Sequence, residues 1–252
     1  MSKLALITGA TSGIGEATAV KLASLGYNLI LTGRRLERLV TLSEKLELEY
    51  KIKTLTLNFD IRKNDETTNA INSLKESWRD IDLLVNNAGL AAGLEKFQDG
   101  LWSDWEQMVD TNIKGLLFIS RLVTPWMIER KQGHVINISS IAGIEAYEKG
   151  SVYCGTKHAV QAISKGMRID FLPHNIKVTT ICPGMVDTEF SLVRFKGDKE
   201  RAVNAYKGLT PLFAEDIADA IEFVVTRKPH VCINDMLIMP TAQATATYNY
   251  RE

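Results

Sequence analysis

Ser140, Tyr153 and Lys157 are the residues of this chain best suited to moving a proton. Tyr153 and Lys157 form a Y-x-x-x-K unit, and Ser140 stands thirteen residues before the tyrosine. On a helix, side chains four apart share a face, so the phenol and the ammonium can share a site. A free phenol titrates near 10, too high for a base at neutrality, and a fixed cation nearby favours the phenolate. A serine hydroxyl beside the phenol can hydrogen-bond a substrate oxygen. The spacing alone is common on solvated helices, so its meaning depends on the elements built around it.

Those elements begin with LALIT (4–8), an apolar run that fits a buried parallel strand. GATSGIG (9–15) follows, then a helical pattern ending at Gly26, and an apolar strand over 28–32. Strand, glycine-rich turn, helix and strand open a dinucleotide-binding unit. Gly9, Gly13 and Gly15 give G-x-x-x-G-x-G, with Thr11, Ser12 and Ile14 between them. Glycine lets the backbone approach a pyrophosphate, and the helix N-terminus offers it unpaired N–H groups. The second strand ends in Gly33-Arg34-Arg35 with no carboxylate. An acidic residue there would read the ribose hydroxyls, whereas two guanidiniums pair with a 2′-phosphate, so NADP is expected over NAD.

A helix is expected over 34–48 and a strand over 53–59 ending in Asp60-Ile61. Asp60 stands where an adenine amino group is read, or where the next helix is capped. Helix 64–78 and strand 81–85 lead to Asn86-Asn87-Ala88-Gly89, small residues against which a cofactor can pack. Residues 101–130 read as one long helix containing Asn112 and Gly115. Asparagine is unfavourable mid-helix; a kink that opens a carbonyl to a water chain would justify it, and so would a solvated side chain. Strand 134–138 delivers Ser139 and Ser140 at its C-terminal end, where open α/β sheets bind ligands. Helix 151–171 carries Tyr153 and Lys157, and strand 175–181 precedes Pro183-Gly184. The polar, basic segment 190–208 suits a lid. A helix over 211–227, a strand over 231–239 and a tail over 240–252 without clear period complete the chain. Nothing divides it, so one α/β domain is expected over 1–252.

Hydrophobic residues make up 45% and charged residues 24%, with no net charge, so neither a nucleic-acid nor a membrane partner is expected. Cys154, Cys182 and Cys232 are an odd number without metal-type spacing, which fits a reducing compartment. The four histidines form no H-E-x-x-H unit, so no metal is expected. Residues 1–3 run straight into the first strand, leaving no room for a signal peptide, and the cytoplasm is the expected location.

Thr8-Gly9-x-x-x-Gly13-x-Gly15, Asn86-Asn87-Ala88-Gly89, Asn112, Ser140, Tyr153-x-x-x-Lys157 and Pro183-Gly184 together resemble the short-chain dehydrogenase/reductase family over essentially the whole chain. The resemblance implies a Rossmann-like, doubly wound parallel sheet in three α/β/α layers. LTGRRLERL, LVNNAGLAAGLE, TEFSLVRFKGD and PHVCINDMLIMPTAQ are similar to the NADP-dependent 3-hydroxy acid dehydrogenases, a group that includes serine and L-allo-threonine dehydrogenases and malonic semialdehyde reductases. In such enzymes a hydride passes between the nicotinamide and the β-carbon of a short 3-hydroxy acid. Reduction of other carbonyls, such as 3-oxoacyl thioesters or cyclic ketones, is the rival enzymatic reading. An NADP-sensing regulatory protein is the rival of another class, and it would not need Tyr153 and Lys157.

By this resemblance Tyr153 is the general acid in reduction and the base in oxidation. Lys157 lowers its pKa, holds the nicotinamide ribose and joins a proton relay. Ser140 orients the carbonyl oxygen, and Asn112 anchors a relay water. The implied cofactor contacts run from the turn residues Gly9, Thr11, Ser12, Gly13, Ile14 and Gly15 through Arg34, Arg35, Asp60 and Ile61. They continue with Asn87, Ala88 and Gly89, with Tyr153 and Lys157, and with Pro183, Gly184, Val186 and Thr188. Many NADP-using members carry a basic residue in the turn, which this chain lacks, so the phosphate would depend on Arg34 and Arg35. Arg194, in the lid, is the candidate for a substrate carboxylate. Cys154, next to Tyr153, points roughly 100° away from it on a helix and reads as packing. Family members are usually tetramers joined through helices matching 101–130 and 151–171, and Tyr248 and Tyr250 would pack on a neighbouring subunit.

Overall fold

A computed structural model describes residues 3–252; of the three residues expected to lead into the first strand, two lie outside this range. The chain forms β1 (Leu4–Thr8), α1 (Gly13–Ser24), β2 (Asn28–Gly33), α2 (Leu36–Tyr50), β3 (Thr54–Asn58), α3 (Asn64–Asn72) and β4 (Leu83–Asn86). Then follow α4 (Trp102–Val109), α5 (Leu116–Arg130), β5 (Gly133–Ile138), α6 (Ser151–Asp170), β6 (Ile176–Pro183) and β7 (Val186–Asp187). The remainder is α7 (Glu189–Arg194), α8 (Lys199–Asn204), β8 (Leu212–Phe213), α9 (Ala214–Val225) and β9 (Asp235–Ile238).

Seven strands form one parallel sheet in the order β3-β2-β1-β4-β5-β6-β9. Strand periodicity divides the core. In β1, Leu4 and Leu6 join one buried cluster while Ala5 and Ile7 join the other. One face packs against α1, α2 and α9 through Leu22, Leu39, Leu42, Ile217 and Ile221. The opposite face packs against α3 and α5 through Ile71, Ile119, Val123 and Met127. This is the doubly wound α/β/α arrangement. The order reverses between β1 and β4, which places a crevice above their C-terminal ends.

Several boundaries differ from the pattern reading for identifiable reasons. The helix expected from 34 begins at Leu36, because Arg35 keeps a non-helical backbone (φ −98°, ψ 89°). The helix expected over 64–78 stops at Asn72, and Glu76–Trp78 is a separate 3-10 turn. The long helix expected over 101–130 is helical without a break from Trp102 to Arg130 but widens into a π-helical turn, Asp110–Gly115, around Asn112. The last strand shortens from 231–239 to β9, and β8 takes the start of the helix expected from 211. The 190–208 segment, expected as a lid, carries two short helices, α7 and α8. No described helix is long and apolar enough to cross a membrane.

Candidate active site

A cavity of about 600 Å³ opens above the C-terminal ends of β1, β4, β5 and β6. Of the catalytic, cofactor-binding and substrate-binding residues expected from sequence, all line it except Gly15 and Asn112. These two act from beneath. A Cβ on Gly15 would collide with the Gly9 carbonyl and with Asn87 Nδ2, so glycine lets α1 meet the turn. Asn112 is buried at 2% exposure; its Oδ1 accepts from Leu90 N (2.9 Å), and its Nδ2 donates to Leu90 O (2.8 Å) and Thr156 Oγ1 (3.0 Å). The solvated alternative for Asn112 is therefore wrong: the side chain pegs the π-helical turn to the segment after β4 and to α6.

The glycine-rich turn is shaped for a close ligand. Gly9 (φ +66°) and Gly13 (φ +55°) occupy left-handed backbone that other residues rarely adopt. A Cβ on Gly13 would come within 3.1 Å of Thr188, the residue that caps α7. Asn87 Nδ2 braces the opposite wall by donating to Thr8 O and Gly9 O (2.9 and 3.2 Å).

At the adenosine end, the two arginines divide. Arg34 is exposed at the cavity wall and makes no ion pair among the described residues. Arg35 folds over the turn, donating from Nη2 to Thr11 Oγ1 (2.9 Å) and Ser12 Oγ (2.7 Å) and from Nη1 to Glu189 Oε2 (2.7 Å). A cation thus sits on a turn that has no basic residue of its own. Arg38, one turn into α2, reaches the other oxygen of Glu189 (2.8 Å). Burial alone would raise the Glu189 pKa, but the two guanidiniums hold its carboxyl down at about 2. Asp60 does not cap α3, whose N-cap position is Lys63. Its carboxylate lies on the cavity wall, clamped by Arg62 (Nε–Oδ1 3.0 Å, Nε–Oδ2 3.0 Å), which overcomes burial and keeps its pKa below the ordinary value.

At the other end stand the residues suited to proton transfer. β5 delivers Ser140, whose Oγ accepts from Ala142 N (3.1 Å) and faces Pro183 O (3.4 Å). α6 presents Tyr153 and Lys157, both buried, with Lys157 Nζ 5.9 Å from the phenol ring centre. Lys157 Nζ donates to Ile138 O (3.0 Å), and burial lowers its pKa to about 8. The Tyr153 pKa is raised rather than lowered. Burial and Tyr147 push the phenol well above its ordinary value, while Ser140 and Arg194 pull it back in part. Cys154 packs in the apolar cluster beside Tyr153, as expected for its place on α6.

Arg194 closes this end. Its guanidinium lies over the rings of Tyr147 (5.6 Å) and Tyr153 (5.7 Å), and its Nε donates to Gly93 O (3.3 Å). It makes no ion pair among the described residues, so its charge is available to an anion. Tyr147, Tyr206, Gln243 and Asn249 also line the cavity and were missed. Arg38 was legible as a third arginine at helical spacing from Arg34 and Arg35; the other four carry no local signal.

The short chain dehydrogenase family model matches residues 3–198. The chain belongs to this family. Among its curated relatives, a serine 3-dehydrogenase of Rhizobium radiobacter is 45% identical over all of both chains. An NADP-dependent 3-hydroxy acid dehydrogenase of Schizosaccharomyces pombe is 41% identical over 99% of this chain and 97% of its own. A closed form of serine dehydrogenase, solved in complex with NADP+, superposes with a TM-score of 0.91 at 42% identity, covering 99% of each chain. Against that background the cavity suits a phosphorylated dinucleotide in its own right. The positive-φ glycines open the floor, Arg34 stands exposed at one end, and Tyr153 and Lys157 face the other.

Proposed function

We propose that this chain is an NADP-dependent oxidoreductase acting on short 3-hydroxy acids of the serine, L-allo-threonine and 3-hydroxypropionate class. One observation carries the reading: Arg194, a guanidinium without an ion pair among the described residues, lies over the ring of a buried tyrosine that Ser140 and Lys157 flank. A carboxylate held by Arg194 places the hydroxyl-bearing β-carbon of the same small molecule beside the Tyr153 hydroxyl.

Bound NADP supplies the hydride acceptor, or in its reduced form the donor, through its nicotinamide ring. Gly9, Gly13 and Ile14 bind the pyrophosphate end with Thr11 and Ser12, and Arg34 and Arg35 take the 2′-phosphate. Asp60 and Ile61 border the adenine. Asn87, Ala88 and Gly89 form one wall, and Pro183, Gly184, Val186 and Thr188 form the other. Tyr153 is protonated at neutral pH, the form needed to give its hydroxyl proton to a carbonyl oxygen in reduction. Ser140 orients that oxygen. In oxidation the proton returns to the phenolate, which the Lys157 cation favours, while Lys157 also holds the nicotinamide ribose. Asn112 acts as a positioning residue: its side chain is committed to Leu90 and Thr156, leaving a relay water to its main chain. Residues 190–208 serve as the lid.

Assembly as a cytoplasmic homotetramer completes the reading. Leu117 of α5 and Ile169 of α6 are large apolar side chains left exposed on the helices expected to join subunits. The test is an absorbance assay with NADPH or NADP across serine, 3-hydroxypropionate, 3-hydroxyisobutyrate and an acetoacetyl thioester. Turnover of the free acids with preference for NADP is expected, and Arg194→Ala should raise their KM. Preference for the thioester, or an unchanged KM in the variant, would refute the substrate assignment.

A further inference from the structure

Among the described residues one carboxylate is buried: Asp104, in the first turn of α4, at 7% exposure. Its Oδ2 makes no hydrogen bond of good geometry, and its charge is met by Lys196 Nζ, 2.8 Å away in the lid. A buried carboxylate without a cation is strongly unfavourable, so this position requires one nearby. Lys196 supplies it from an unfavourable backbone, with φ +55°, in the left-handed region where glycine fits better. It ends α7: Lys196 N donates to Val193 O (3.1 Å) and Gly197 N to Leu192 O (2.8 Å). Helices that end in this way usually place glycine where Lys196 stands.

A second cation borders the same acid. Arg194 and Asp104 both line a small cavity of about 20 Å³ behind Tyr153. Gly93 touches both of them. A Cβ on Gly93 would lie 3.0 Å from Asp104 Oδ2. Gly93 N donates to Arg194 O (3.0 Å), and Gly93 O accepts from Arg194 Nε (3.3 Å). The other carboxylate at this corner, Glu95, is exposed and accepts from Leu94 N (2.7 Å). A guanidinium matches a carboxylate better than an ammonium does, through two parallel bonds. Without Lys196, Asp104 would therefore draw Arg194 to itself.

We propose that Lys196 is a positioning residue. By occupying Asp104 it keeps Arg194 from capture by that buried acid and leaves the guanidinium over Tyr147 and Tyr153, available to a substrate anion. The proposal rests on the reading of Arg194 as the carboxylate partner and extends it to what keeps that arginine in place.

The experiment compares Lys196→Gly, Lys196→Arg, Asp104→Asn and the double variant Asp104→Asn/Lys196→Gly in NADP-linked turnover of 3-hydroxypropionate. Glycine suits the backbone at 196, so what is removed is the ammonium. Lys196→Gly should raise KM about tenfold or more and leave kcat within about threefold, as for a charged hydrogen bond lost from ground state and transition state alike. Lys196→Arg and Asp104→Asn should each keep KM within about threefold of wild type, and the double variant should return to that range. An unchanged KM in Lys196→Gly, an equal rise in Asp104→Asn, or no recovery in the double variant overturns the proposal. Urea unfolding reads the capture without substrate: Arg194→Ala should lower the midpoint more in the Lys196→Gly background than in wild type. Equal shifts overturn the proposal, whereas a wild-type protein that turns over no 3-hydroxy acid refutes the substrate reading alone.

Discussion

Replacing Asn112 with alanine should cost this fold far more than a helical surface substitution. The side chain satisfies Leu90 N and Leu90 O and donates to Thr156 Oγ1, all three bonds being buried. Thr156 Oγ1 keeps its own bond to Tyr153 O (2.8 Å), so two main-chain groups of Leu90 are left without their partners. Each buried orphan costs about 1–3 kcal/mol, giving roughly 2–6 kcal/mol for the pair. Reversible urea unfolding at fixed protein concentration measures the loss as a shift in midpoint. Asn112→Asp sharpens the test. At pH 8 its carboxylate still accepts from Leu90 N but cannot donate, so it should be at least as damaging as alanine. A destabilisation below about 0.5 kcal/mol for Asn112→Ala, the scale of an ordinary surface change, would refute the pegging role.

His134 should make stability fall with acid. Its Nε2 lies 2.8 Å from Thr179 Oγ1, which itself donates to Ile233 O, so the neutral ring supplies the proton to that bond. Burial and nearby Lys177 lower its pKa from 6.5 to about 3. Between those values the unfolded chain binds a proton that the folded chain refuses, so stability drops as pH falls through this window. The slope is at most ~1.4 kcal/mol per pH unit, and His134→Asn should flatten it in urea titrations; an unchanged slope would exclude His134 as its source. Glu189→Gln removes the carboxylate that ties α7 to Arg35 and Arg38. Exposed pairs of this kind are worth little each, so proteolysis within 195–208 should quicken by only about two- to tenfold. No change would mean that the ties do not restrain the lid.

The chemistry-bearing residues were legible because their positions follow from regular elements. Period-two strands end at Thr8, Asn86, Ile138 and Pro183, so the glycine turn, Asn87, Ser140 and Gly184 had to meet at one edge of the sheet. Tyr153 and Lys157 followed from helical spacing. Contacts made by single polar side chains across the fold were not legible. Glu189 meets Arg35 and Arg38 over separations of more than 150 residues, and no local pattern encodes such a pairing. The π-helical turn at Asn112 follows from partners on other elements, which periodicity along one helix does not register. The tail escaped because its order comes from Gln243, Arg251 and main-chain bonds to loops rather than from an apolar stripe. The elevated Tyr153 pKa escaped for a related reason: the Y-x-x-x-K spacing names a nearby cation but says nothing of how far burial opposes it.

The most direct test of Tyr153 as the proton donor is Tyr153→Phe, assayed for both turnover and NADPH binding. The ring still fits the cluster it packs in, so binding followed by nucleotide fluorescence should stay within a few-fold of wild type. Turnover should fall by about 10²–10⁴-fold, the usual contribution of a positioned acid or base. A variant that binds NADPH and keeps turnover within tenfold of wild type would contradict the account.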